Sequence, residues 1–163
     1  MTRIAASSLA DRLATRGAYS WRTDPSVPTF DDSRPLIVFD GVCVLCARSM
    51  RFVAGHEAGN TLRFTAAQSK LGQALFQHYG LDVEAFETVL LIEHGRAYGK
   101  RDAIACIARL LRWPWRVGAI YGVLPRGFAD RIYDFLANRR YRMFGRTEVC
   151  MRPDPSWAVR VIE

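Results

Sequence analysis

No apolar run in this chain approaches the roughly 20 residues that a membrane-spanning helix needs. The N-terminus has no apolar stretch of the kind that marks a secretory signal. Cysteine is sparse. Four in 163 residues do not make a disulfide scaffold. They suit a reducing compartment with one reactive pair, so a cytoplasmic location is expected. Lysine is almost absent: two of the 23 basic residues are lysines and the rest are arginines, and with 16 acidic residues the formal net charge is +7. An anionic partner is one reading of that charge. The arginines are scattered, however, with no RNP, zinc-finger or helix-turn-helix pattern among them, so no nucleic-acid partner is expected. His56, His78 and His94 have no metal-ligand spacing to the cysteines and are expected at the surface.

What is present points to one globular domain with appended chain, since half of the residues are hydrophobic and the length suffices for a core. The organising stretch is Leu36-Ile37-Val38-Phe39-Asp40-Gly41-Val42-Cys43-Val44-Leu45-Cys46. Its first four residues, all apolar, read as a short buried strand. Asp40-Gly41 turns the chain. Beyond the cysteines, Ala47, Met50, Phe52 and Val53 continue at helical spacing. The dithiol therefore sits where a strand hands over to a helix N-terminus. Unpaired N–H groups and the positive end of the macrodipole favour a thiolate there. Cys43 is the expected nucleophile, and Cys46, one turn on, the resolving thiol. A structural zinc half-site and two core cysteines are the bland alternatives.

Residues 1–35 read as an N-terminal extension and linker. Arg3, Arg12, Arg16 and Arg22 among Ala and Ser loosely resemble a mitochondrial presequence, though an exposed extension explains them equally well. From Leu36 a regular order follows: the first strand, a helix to about His56, a parallel strand over 62–66 and a helix over 68–79. A strand over 88–93 and its return at 97–99 then form a hairpin, and a helix covers 102–112. This β-α-β-α-β-β-α core spans 36–112. Residues 113–163 add a C-terminal helical segment. Within it, Trp113 to Pro125 is an aromatic, apolar insert, read as core packing or as a docking patch for a membrane surface or protein. In the last helix Phe128, Ile132, Phe135 and Leu136 are expected to face the core, with Tyr133, Ala137 and Tyr141 as a neighbouring stripe. Arg131, Arg139, Arg140 and Arg142 are expected on a solvated face.

Asp40-Gly41-Val42-Cys43-Val44-Leu45-Cys46 resembles the opening motif of the DCC family of thiol-disulfide oxidoreductases, named for one aspartate and two cysteines at this spacing. His94-Gly95-Arg96-Ala97-Tyr98, Asp102-Ala103 and the run Tyr133 to Gly145 resemble the family's hairpin, third helix and C-terminal helix. Cys150 follows as a late cysteine. The resemblance covers about Leu36 to Cys150 and implies an α/β, thioredoxin-like fold. One departure from the wider superfamily stands out. No proline lies between Pro35 and Pro114, so the proline usually found before the strand facing the dithiol is missing.

The expected function is thiol-disulfide exchange by the Cys43/Cys46 dithiol on protein or small-molecule disulfides, with an external reductant and no prosthetic group. Asp40 is the third candidate site residue, either capping the turn or handling a proton. Cys106 reads as a buried structural thiol, and Cys150 as a free thiol, a third redox cysteine or a metal ligand. The alternative function is a non-catalytic or metal-binding module that docks through Trp113–Pro125.

Overall fold

The structure, a computed structural model, describes residues 9–84, 88–147 and 155–162. Helix α1 (Leu9–Thr15) and a 3₁₀ turn (Ser20–Thr23) precede β1 (Leu36–Phe39). Then come α2 (Val44–His56), β2 (Arg63–Ala66), α3 (Lys70–His78), β3 (Leu90–Glu93) and β4 (Arg96–Gly99). The chain ends in α4 (Lys100–Arg109), a 3₁₀ segment (Trp115–Val123), α5 (Arg126–Phe144) and α6 (Pro155–Ala158). The sheet runs β2-β1-β3-β4. β1 is parallel to β2 and antiparallel to β3, and β3 pairs antiparallel with β4. This is a thioredoxin-like α/β arrangement.

β1 is apolar at every position because both faces of the sheet are covered. Leu36 and Val38 pack with Leu71, Leu75 and Phe76 of α3. Ile37 and Phe39 pack on the other face with Met50 and Val53 of α2 and Ile107 of α4. Leu36, Ile37 and Val38 are all fully buried. α3 approaches β2 closely at Gly72, where a Cβ would lie 2.1 Å from the Ala66 carbonyl oxygen, so only glycine fits.

Both flanks contribute to these cores. Trp21, from the 3₁₀ turn, is buried against the α3 face of the sheet, and Trp157 of α6 stacks edge-on to Phe64, with centroids 5.0 Å apart. Val161 bridges to Phe64 on the free edge of β2. The expectation of a surface His78 is corrected: it is buried. Its Nδ1 lies 2.6 Å from Asp24 Oδ2 and its Nε2 2.8 Å from Ser20 Oγ, so it ties the N-terminal segment to α3. Three-residue spacing from the apolar α3 positions could have signalled that inward direction.

Two expectations about the C-terminal part also change. The Trp113–Pro125 insert is not core: it buries no residue, lying close on α4 at Gly118 and Gly122, beside the Cβ atoms of Ala108 and Ala105, while Trp115 packs edge-on to Phe52 and His56 of α2. Helix α5 turns a different face inward. Phe128, Ile132, Phe135 and Leu136 are exposed, while Ala129 and Arg140 are buried. The inward face is the Tyr133–Ala137–Tyr141 stripe and the residues beside it, because α5 docks over a polar site rather than over the apolar core.

Candidate active site

β1 ends at Phe39, and the turn Asp40–Val42 delivers Cys43 to the N-cap of α2. There the Cys43 sulfur takes the place of a capping oxygen. It accepts the backbone N–H of Cys46 at 3.3 Å and also a hydrogen bond from the Cys46 side chain. Neither cysteine is in a disulfide. The Cys43 pKa is lowered to about 7, first by the bond from Cys46 and further by the Cys46 N–H and the Arg140 charge; burial and the Asp40 charge oppose this. The Cys46 pKa is raised, because its proton serves Cys43 and because of burial. The pair is thus polarised: the anion resides on Cys43 and the proton on Cys46.

Access is polarised the other way. Cys43 is fully buried, whereas Cys46 is half-buried. What covers Cys43 is the chain leaving α5. Arg146 forms an antiparallel bridge to Cys43, and Thr147 donates both its N–H and its hydroxyl to the Val42 carbonyl, at 2.9 and 3.2 Å. Cys46 instead lines a groove of about 540 Å³ between α2, α4 and α5.

Asp40 is 4% exposed and ringed by donors. Its Oδ1 accepts from Val42 N–H at 3.1 Å and from Gln68 Nε2 at 2.7 Å. The first of these is the expected Asx-type cap of the turn. Its Oδ2 accepts from an Arg140 guanidinium nitrogen at 3.3 Å and from the Tyr141 hydroxyl. The Tyr141 pKa is pushed up to about 12 by burial and by this bond to a carboxylate. Tyr133, one face-position away, accepts the Val89 N–H at 2.9 Å and so pins the start of β3 beside the dithiol.

Arg140 overturns the solvated-face expectation: its side chain is 6% exposed and spans from α5 to the dithiol loop. Sequence reasoning also missed Gln68 and Tyr141 as partners of Asp40. The i, i+4, i+8 stripe of α5 held the signal for Tyr141, and nothing in the local pattern marked Gln68. Asp134 of α5 pairs with Lys100 at 2.7 Å rather than with these arginines. Cys106 is buried, as expected, with Arg109 donating to its sulfur at 2.8 Å; burial raises its pKa. Cys150 lies outside the described residues. Among the described residues, no three His, Cys, Asp or Glu side chains converge to hold a metal ion, and no helix is long and apolar enough to cross a membrane.

A strand-to-helix dithiol, an aspartate in the turn and a C-terminal helix closing over both match a known pattern. The model of the DCC1-like thiol-disulfide oxidoreductases matches residues 37–146. The chain belongs to the DCC family. It is 36% identical over 121 residues to the uncharacterized protein YuxK of Bacillus subtilis, covering 74% of this chain and 88% of YuxK. It is 34% identical over 149 residues to a chloroplastic DCC family protein of Arabidopsis thaliana, covering 91% of this chain and 86% of the relative. No solved structure matches the chain at the level these relatives do.

The buried Asp40–Arg140 contact sets the first prediction. Asp40→Ala leaves a guanidinium buried without its carboxylate and should cost about 3–5 kcal/mol of stability in denaturant unfolding. Asp40→Asn, which can still accept from Val42 and Gln68, should cost less. Equal and negligible losses in both would show that this contact does not hold α5 to the dithiol loop.

Proposed function

We propose that this DCC-family protein is a thiol-disulfide oxidoreductase that cycles Cys43 and Cys46 between dithiol and disulfide. The observation that carries the reading is the polarised pair: a Cys43 sulfur with its pKa near 7, fed by the N–H and the side chain of Cys46. Cys43 attacks a substrate disulfide, and one substrate half leaves as a thiolate. Cys46 then gives up its proton and attacks Cys43, releasing the second half. An external thiol or reductase restores the dithiol. Because Cys43 lies under Arg146 and Thr147, attack requires that short segment to step aside; the two bonds of Thr147 to Val42 are among those that must break.

Asp40 serves in this scheme as the anchor of the turn, and its charge raises the pKa of Cys43 while Arg140 offsets it. A proton-accepting role during the Cys46 step is compatible with its place in the same groove. A reducing compartment such as the cytoplasm suits a dithiol held reduced. The Arabidopsis relative is described as chloroplastic.

One observation favours a second reading, a docking role for the Trp113–Pro125 insert. Trp113 is 77% and Val123 82% exposed. Exposed Arg109, Arg112 and Arg116 flank them, with no acidic residue between Arg109 and Arg126. Tryptophan and arginine side by side suit an anionic lipid surface.

Two measurements follow. In the Cys46→Ser variant a chromogenic aromatic disulfide should leave a stable mixed disulfide on Cys43, seen by mass spectrometry of the peptide; trapping on Cys46 in Cys43→Ser instead would reverse the assigned roles. In sedimentation with vesicles, the chain should bind phosphatidylglycerol but not phosphatidylcholine, and Trp113→Ser with Val123→Ser should weaken that binding. Equal recovery with both lipids, or none, removes the docking reading.

A further inference from the structure

The groove beside Cys46 has a chemistry of its own. At about 540 Å³ it lies within the roughly 300–1,000 Å³ of small-molecule sites. Phe39, Phe52, Val53, Val89, Ile104 and Leu136 supply much of its wall. Two of its charged groups, Asp40 and Arg140, are buried and bonded to each other at its inner end. The remaining charge, Arg48, is exposed. The only thiol in the wall is that of Cys46; Met50 adds a thioether sulfur. Such a site can desolvate an apolar body and tolerate one negative charge near Arg48, but it offers no partners for a multiply charged ligand.

We propose that this groove binds a small disulfide with an apolar body carrying no charge or a single negative one, such as a dithiolane on an alkyl chain, in preference to glutathione disulfide. The proposal rests on the thiol-exchange reading for its chemistry, but the binding site itself does not depend on turnover. Bound in the groove, the ligand lies against the Cys46 side of the pair. When the Arg146–Thr147 segment steps aside, the Cys43 thiolate forms a bond to one ligand sulfur as the ligand S–S bond breaks, and the second ligand sulfur leaves as a thiolate. That thiolate takes the Cys46 proton. Cys46 then bonds to Cys43 and the first ligand sulfur leaves as a thiolate. The protein loses two electrons and becomes a disulfide; the ligand gains them and becomes one thiol and one thiolate. An external dithiol returns the protein to its reduced state.

This geometry also explains why the inward face of α5 is mixed. Leu136 and Ala137 finish the apolar wall, while Tyr133 and Arg140 close its base next to the dithiol. The exposed outer edges of Ile104 and Leu136 are then the mouth of the groove rather than misplaced core.

The test uses the full chain with Cys43→Ser and Cys46→Ser combined, which lacks the exchanging pair; serine at position 43 keeps a capping acceptor at the helix start. Lipoamide, a neutral alkyl dithiolane, and glutathione disulfide are titrated by calorimetry, with methyl NMR shifts as a second readout. Lipoamide should bind saturably and shift the Ile104 and Leu136 methyls, and glutathione disulfide should bind at least about tenfold more weakly. Ile104→Asp and Leu136→Asp, both at exposed positions that tolerate a carboxylate in the fold, should weaken lipoamide by about tenfold or more. The proposal is overturned if lipoamide does not bind, if the two disulfides bind alike, or if the aspartate variants bind as the parent does. Saturation of the groove by an apolar cysteine peptide while lipoamide fails would also overturn it. Binding by this variant alongside a wild-type chain that never exchanges thiols would keep the groove and remove the redox reading instead.

Discussion

The structure depends on holding a negative sulfur at the first turn of α2. Cys43 is out of reach of water, so its anion must be stabilised by the protein alone, or the proton returns. Two donors do this, the N–H and the side chain of Cys46. A hydrogen bond to a charged group is worth roughly 1.5–3 kcal/mol, enough to offset part of the burial cost. In the proposed cycle the same donors bear on the redox chemistry. They stabilise the reduced pair and vanish once the disulfide forms, so they make the disulfide the easier state to reduce.

Asp40 works against this, since a carboxylate beside a thiolate raises its pKa. The conflict is resolved by Arg140, one hundred residues further along the chain. Its guanidinium meets Asp40 Oδ2 and adds a positive potential at Cys43. Asp40 can therefore keep its structural work: it caps the turn through Val42, and through Gln68 it connects β1 to the loop before α3. α5 is thus part of the site rather than an appendage. It supplies the charge that balances Asp40, the Tyr133 hydroxyl that fixes Val89, and the segment that covers Cys43.

Local pattern made much of this legible. The run Leu36–Phe39 announced a strand buried on both faces, and the cysteine spacing announced a thiol at a helix start. The hairpin about His94-Gly95 and the parallel pairing of β1 with β2 followed from turn chemistry and crossover rules. The reading failed on α5. There a count of apolar positions favoured Phe128, Ile132, Phe135 and Leu136 for the core, yet all four are exposed and only Leu136 lines the groove. Helical periodicity finds an apolar stripe; it does not reveal that the surface waiting for the helix is a carboxylate. Arg140 and Gln68 are partners of Asp40 only in three dimensions, and a buried ion pair between residues so far apart leaves no local mark. His78 failed similarly, because the partners that let it be buried, Asp24 and Ser20, belong to a segment that reads as linker.

The most direct measurement of the central claim is the rate of iodoacetamide alkylation at Cys43 as a function of pH, followed by peptide mass spectrometry in the wild type and in Cys46→Ala. The thiolate reacts and the thiol does not, so the rate should rise with pH through a midpoint near 7 in the wild type. Losing the Cys46 side-chain donor should move that midpoint upward, toward the value of about 8.5 for an unperturbed cysteine. A wild-type midpoint at or above that ordinary value, unchanged in Cys46→Ala, would contradict the account.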